Sequence, residues 1–217
     1  MKTLLFCTTY CATHESWNNR VLKWINGAKK SGVHFDQILI VDDGSPVLPT
    51  SFDHAFIQND TTVCPESEVV LLQFTPNLGR KAGLDHAGWD RSFHKAFEYA
   101  IKHGFNKVIH LESDAFILSP RLANEVNSIK EGWRAWWCPR WQFPEAAFQV
   151  AAGLGVVRAY EDARKDNEYW RGRFVEREYQ FTEVDQRFNG DRYGEYLNGI
   201  PSNADYACQV LEHWMIP

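Results

Sequence analysis

Four short apolar runs, separated by stretches of helical periodicity, constrain this chain most. The runs are Thr3 to Thr9, Gln37 to Val41, Glu68 to Phe74 and Lys107 to Leu111. Each predicts a strand. After the first, Val21, Leu22, Ile25 and Ala28 fall at helical spacing, which predicts a helix from about Ser16 to Lys30, with Ser16 as its N-cap and Gly32 as its stop. Phe93, Ala96, Phe97, Ala100 and Ile101 predict a second helix from about Asp85 to His103, ended by Gly104. A third is predicted from Pro120 to Ile129, and the polar passage from Gly44 to Glu66 reads as a long connection. Strands alternating with helices make βαβ units. These demand an α/β fold with a single, Rossmann-like, mostly parallel sheet flanked by helices.

In sheets of this kind, ligands sit outside the carboxyl ends of the strands. Four polar features of the sequence fall there: Thr8, Thr9 and Tyr10; Asp42 and Asp43; the stretch from Thr75 to Lys81; and Glu112, Ser113 and Asp114. The last places two carboxylates at spacing i, i+2 where a buried strand emerges. Hard oxygen ligands on alternate residues can hold a divalent cation and leave positions open for water and phosphate oxygens, which suits Mg²⁺ or Mn²⁺.

At 217 residues the chain has the length of one domain with an elaborated C-terminal part. Hydrophobic residues at 44% and charged residues at 24% predict a full core. A net charge of -5 argues against a dedicated nucleic-acid binder. The N-terminal apolar run is too short for a signal-peptide core, and no stretch reaches the ~18 apolar residues of a membrane span. Five scattered cysteines, never in C-x-x-C, predict neither a disulfide framework nor a zinc cluster, so a reducing cytoplasmic setting is expected. Past Ile129 the pattern changes. The segment from Gly132 to Trp141 holds four of the nine tryptophans, and the segment from Glu161 to Tyr179 mixes charges with aromatics. Such aromatics suit carbohydrate recognition, stacking on the C–H faces of a sugar, and they equally suit the core of the second half.

Taken together, Leu4 to Tyr10, Ile40 to Ser45 (Ile-Val-Asp-Asp-Gly-Ser), Asn77 to Ala82 (Asn-Leu-Gly-Arg-Lys-Ala) and Leu111 to Asp114 (Leu-Glu-Ser-Asp) resemble the nucleotide-sugar glycosyltransferases of the GT-A fold, most similar to the family 2 type. The resemblance covers about residues 3 to 118. It implies one GT-A domain over 1–217, with a nucleotide-sugar-binding half (1–118) and an acceptor-binding half (119–217). It implies that Asp42 or Asp43 binds uracil or ribose, that Gly79, Arg80 and Lys81 lie along the diphosphate, and that Thr8, Thr9, Tyr10 and Ser113 belong to the nucleotide site. Glu112 and Asp114 stand at the metal-binding D-x-D signature, with Glu departing from Asp at the first position. A further metal ligand near the C-terminus would be His213. The implied partners are a nucleoside-diphosphate sugar, with UDP the expected carrier, and a glycan or glycolipid acceptor.

An inverting enzyme also needs a carboxylate to accept the acceptor hydroxyl's proton. Two segments offer one: Thr182 to Asp185 and Phe143 to Ala146. By the family's order of parts Asp185 is expected first and Glu183 next. His110, alternating with Glu112, points either to the site or into the core. Of the competing readings, a sugar nucleotidyltransferase expects a glycine-rich basic loop after the first strand, and a dehydrogenase or methyltransferase expects a G-x-G turn there. Cys7 to Glu15 holds neither. A carbohydrate-binding protein of the same fold without catalysis stays open.

Overall fold

The computed structural model describes residues 1–80, 86–165, 167–170 and 172–216. In chain order the elements are β1 (Thr3–Thr9), α1 (His14–Ser16), a π-helical stretch (Trp17–Leu22), α2 (Lys23–Lys30), β2 (Gln37–Asp42), β3 (Ala55–Gln58), β4 (Val69–Gln73), α3 (Ala87–Lys102), β5 (Lys107–Leu111), β6 (Phe116–Ile117), α4 (Pro120–Ser128), β7 (Gly132–Cys138), β8 (Phe143–Ala152), α5 (Leu154–Ala163), α6 (Asn167–Trp170), α7 (Val175–Glu178), β9 (Glu183–Asp185), β10 (Gly190–Asp191) and β11 (Tyr206–Ala207).

Eight strands form one sheet in the order β3-β4-β2-β1-β5-β8-β7-β9. Pairing is parallel from β3 through β5, as the βαβ pattern requires, and also between β7 and β9. It turns antiparallel only where β8 joins β5 and β7. The inner strands β1, β2, β4 and β5 are buried along their whole lengths, because helices cover both faces. Side chains alternate between the faces with period two. Leu4, Phe6, Leu39, Val41, Val70, Leu72 and Val108 pack under α3 and α5 with Phe93, Ala96, Phe97 and Val156. Leu5, Cys7, Ile38, Ile40, Leu71 and Ile109 face α2 and α4, meeting Trp24, Ile25, Leu122 and Val126.

The expected strands and helices form within a few residues of their predicted bounds. The first helix begins earlier than Ser16. Thr13 is its N-cap, with extended backbone and an Oγ1 that accepts from the Ser16 amide at 3.1 Å, while Ser16 is already helical. Strand β3 hides in the polar passage because, at the sheet edge, only Ile57 of its four residues is buried. The tryptophan-rich segment became β7. Trp133 and Trp136 are fully buried, and Trp136 stacks on Phe148 with ring centroids 3.9 Å apart, so the core role takes these two. Between Ala135 and Trp136 the β7 register jumps from Gln149 to Glu145. The intervening β8 residues thus have no β7 partner, and Ala146 and Ala147 among them line a cleft at the carboxyl end of β5. β10, β11 and β6 form a small three-stranded sheet, whose flanking residues Arg192 and Gln209 line the cleft.

Candidate active site

The site begins where β5 leaves the core. His110 and Glu112 point to the same face by strand alternation, toward α3. Fully buried His110 stacks on Phe6, centroids 4.6 Å apart, and meets Phe93 edge-on. Its Nε2 lies 2.9 Å from Glu112 Oε1, and Nδ1 lies 3.0 Å from the Ala146 carbonyl. Trp89 Nε1 donates to the same carboxylate oxygen, and Thr8 Oγ1 donates to Oε2 at 2.8 Å. Burial by itself would raise Glu112. The adjoining His110 and the hydrogen bonds from His110, Trp89 and Thr8 outweigh it and hold the carboxyl below the ordinary glutamate value. These contacts favour the ionised form of Glu112 and hold it in one orientation.

Asp114 differs. Its Oδ1 is buried without a hydrogen-bond partner among the described residues. Burial first, then the Glu112 and Glu145 carboxylates, push it up to about 7, against a smaller opposing effect of Arg20. A buried polar atom without a partner is rare in a folded protein, and with the second carboxylate beside it the pair could hold a cation.

Glu112 and Asp114 stand at the junction of two cavities that share Arg80, His86, Trp89 and both acids. One, of about 480 Å³, is lined by Thr8, Thr9, Tyr10, Arg20, Asp43, Asn77, Gly79 and Ser113. The other, of about 680 Å³, is lined by Asp90, Trp141, Phe143, Trp170, Phe174, Glu176, Arg192, Glu195 and Gln209 among others. The first lies at the ends of β1, β2 and β5, where nucleotides sit in doubly wound sheets; the second lies against the C-terminal half.

Most residues expected at a nucleotide site thus line the first cavity, and the structure adds detail to each acid after β2. Asp42 is not among the lining residues. It is fully buried and accepts from Ser45 N at 2.8 Å and Gln73 Nε2 at 2.9 Å, so it fixes the turn after β2. Asp43 does line the cavity, but its carboxylate is engaged: it accepts from Gly79 N at 2.8 Å, Asn77 Nδ2 at 2.9 Å and Arg91. It organises the Asn77–Gly79 loop. Gly88, in the first turn of α3, is the only residue type that fits behind it, since a Cβ there would stand 2.2 Å from Asp43 Oδ2. Lys81 lies outside the described residues.

Three expected residues are elsewhere. Asp185 and Glu183 are on β9 at the sheet edge, and neither is among the residues lining the two cavities. Buried Asp185 accepts from Arg187 N at 2.8 Å and from the Arg187 guanidinium at 2.5 Å. Against the opposing effect of burial, these bonds and Arg134 hold it below the ordinary aspartate value. Asp185, expected as the base, is thus an ion-paired carboxylate outside the lining of the two cavities. Glu183 pairs with Arg134 at 2.6 Å. His213 is exposed in the C-terminal turn, and among the described residues no three His, Cys, Asp or Glu side chains converge on one metal position. Arg20 was missed by the sequence reading. It emerges from the π-helical stretch into the first cavity, paired with Glu212 at 2.8 Å; π-helical turns recur at functional sites, but nothing in local sequence marks this one.

No protein-family model and no curated protein matches the sequence. Solved structures are similar in fold. The galactosyltransferase LgtC in complex with donor and acceptor sugar analogues has a TM-score of 0.51 at 9% identity, covering 95% of this chain and 86% of that one. An active-site mutant of LgtC has 0.50 at 10% identity, with the same coverage. The fold is of the GT-A type. A glycosyltransferase involved in glycosylation of the major capsid of PBCV-1 aligns over 97% of this chain and 95% of its own, at 8% identity and a TM-score of 0.47. The acids at the end of β5 stand where the two cavities meet.

Proposed function

We propose that this chain is a metal-dependent glycosyltransferase that moves a sugar from a nucleoside-diphosphate sugar, UDP being the expected carrier, to a hydroxyl of a glycan or glycolipid. The observation that carries the reading is Asp114: a carboxylate with a buried oxygen that has no partner among the described residues, next to Glu112, whose carboxyl is held below the ordinary glutamate value, at the junction of two cavities. Two carboxylates with room for water and phosphate are the donor set that suits Mn²⁺ or Mg²⁺. When bound, such an ion would supply Lewis-acid neutralisation of the leaving diphosphate.

The chain's own groups account for the rest. Arg20 and Arg80 line the smaller cavity and would share the negative charge of the diphosphate, Arg20 exchanging Glu212 for phosphate oxygens. The Asn77–Gly79 loop, shaped by Asp43, would approach the phosphates closely at Gly79. Tyr10, 44% exposed at the rim, offers a ring to the base. His110, Trp89 and Thr8 hold Glu112 in its ionised form and in one orientation. In the larger cavity Trp141 and Phe174, both exposed, offer apolar faces for an acceptor sugar. If configuration inverts, the proton-accepting carboxylate comes from Asp90, Glu176 or Glu195, the C-terminal and α3 acids that line this cavity. Among the described residues no helix is long and apolar enough to cross a membrane, and a cytoplasmic setting is part of the proposal.

The test is UDP release from UDP-glucose and UDP-galactose, with GDP-mannose as comparison, in Mn²⁺ and after chelation. Mn²⁺-dependent release that disappears in Asp114→Asn supports the reading. Absence of release from all three donors, or release indifferent to chelation, overturns it.

A further inference from the structure

Among the described residues, three non-glycine residues have left-handed backbone: Asn59, Gln142 and Gln209, with φ of 54°, 56° and 54°. This region costs an ordinary side chain of order 1 kcal/mol and persists where surrounding structure imposes it. The first two use their amides locally. Asn59 Oδ1 accepts from Thr75 N at 2.8 Å and its Nδ2 donates to Thr75 Oγ1 at 3.0 Å; Gln142 Nε2 donates to the Pro139 carbonyl at 2.6 Å. Each holds its own loop together.

Gln209 does not. Its carboxamide makes no hydrogen bond among the described residues, and it lines the larger cavity together with Glu112 and Asp114. Its backbone is clamped instead. Cys208 N donates to Asp191 O at 3.0 Å and Val210 N donates to Asp114 O at 2.9 Å, so the strained residue is braced between β10 and the acid pair. Gly194 lies so close beneath that a Cβ on it would stand 1.7 Å from the Gln209 carbonyl oxygen. The fold thus holds a backbone conformation that glycine would adopt without strain, yet presents toward the cavity a half-buried amide with no hydrogen-bond partner among the described residues.

We propose that Gln209 is a substrate-positioning residue whose carboxamide hydrogen-bonds a sugar hydroxyl beside Asp114. A carboxamide offers one acceptor and two donors, which matches a hydroxyl that both gives and accepts, or a vicinal pair of them. The proposal rests on the glycosyltransferase reading.

Gln209→Gly separates a functional from a structural role, because glycine keeps the left-handed backbone and removes only the side chain. The assay is UDP release from UDP-glucose and UDP-galactose in Mn²⁺, alone and with p-nitrophenyl hexosides as acceptors, alongside UDP titration and thermal melting. The expected result is a melting temperature equal to or above wild type, unchanged Mn²⁺-dependent UDP affinity, and kcat/KM for sugar transfer or hydrolysis down about tenfold, the scale of one lost hydrogen bond. Gln209→Glu, which keeps an acceptor of the same length, should lose less than glycine. Wild-type kinetics in Gln209→Gly overturn the proposal, and so does weakened Mn²⁺ binding, which would make the amide a cation ligand. A wild-type chain that releases no UDP removes the glycosyltransferase reading and this inference with it.

Discussion

Asp114→Asn should stabilise the metal-free protein above neutral pH. Burial and the neighbouring Glu112 and Glu145 carboxylates raise Asp114 from 3.8 to about 7. Below pH 4 both folded and unfolded chains carry the proton, and the residue has little effect on stability. Between pH 4 and 7 the unfolded chain ionises first, so stability is lost progressively as pH rises; above 7 the loss is complete. The rise from 3.8 to about 7 corresponds, at ~1.36 kcal/mol per pH unit, to about 4 kcal/mol. Water in the open cleft screens this to about 1–2 kcal/mol. Asparagine keeps the shape and removes the charge, so the melting temperature should rise by about 2–8 °C for a chain of this size. Thermal melts of both proteins at pH 4.5 and 8, in chelator and in Mn²⁺, measure it. The gain should appear at pH 8 in chelator and be much smaller at pH 4.5, and Mn²⁺ should stabilise the wild type alone, since it binds the ionised carboxyl. A variant less stable than wild type at pH 8 without metal would refute the assignment of Asp114 as a strained, ligand-seeking carboxylate.

Further perturbations probe the supporting parts. Gly88→Ala drives a Cβ to within 2.2 Å of Asp43 Oδ2 and should cost about 1–3 kcal/mol in urea denaturation; wild-type stability would show that the Asp43 brace is not tight. Arg20→Ala should weaken UDP binding in Mn²⁺ about tenfold or more by calorimetry, and an unchanged affinity would remove Arg20 from the diphosphate site. Asp185→Asn should cost about 1–3 kcal/mol at pH 7 by loosening the Arg187 and Arg134 contacts, while leaving UDP affinity and release intact. Asp185 is held below its ordinary value, so its stabilisation is present at neutral pH and lost as pH falls through that depressed range; the cost of the variant should shrink in acid. Lost UDP release with stability unchanged would return Asp185 to the chemistry.

The parallel half of the sheet was legible because strands covered on both faces are written as continuous apolar runs, and the acids that end β2 and β5 stand out against them. Where one face is open or an edge is exposed, the writing fades. β3 carries a single buried residue and was read as loop. β7 and β9 were invisible for a different reason: their aromatics and charges pack and pair across the sheet, as Trp136 does on Phe148 and Arg134 with Glu183, and sequence shows neither partner. The same limit separates Asp43 from Asp42. They are adjacent in sequence, but strand alternation sends one into the cavity wall and the other into a buried turn. It also hides the ion pairs of Thr182 to Asp185, whose acids look available until Arg187 and Arg134 are seen beside them. Arg20 and Gln209 carried no local signal, being brought to the cleft by a π-helical turn and by a clamped left-handed residue.

The most direct measurement is calorimetric titration of the purified chain with UDP and with GDP, each in Mn²⁺ and in chelator. The account predicts that UDP binds in Mn²⁺, that chelation abolishes or sharply weakens binding, and that Asp114→Asn behaves in Mn²⁺ as the wild type does in chelator. Binding of neither nucleotide, or UDP binding of equal strength with and without metal, would contradict it.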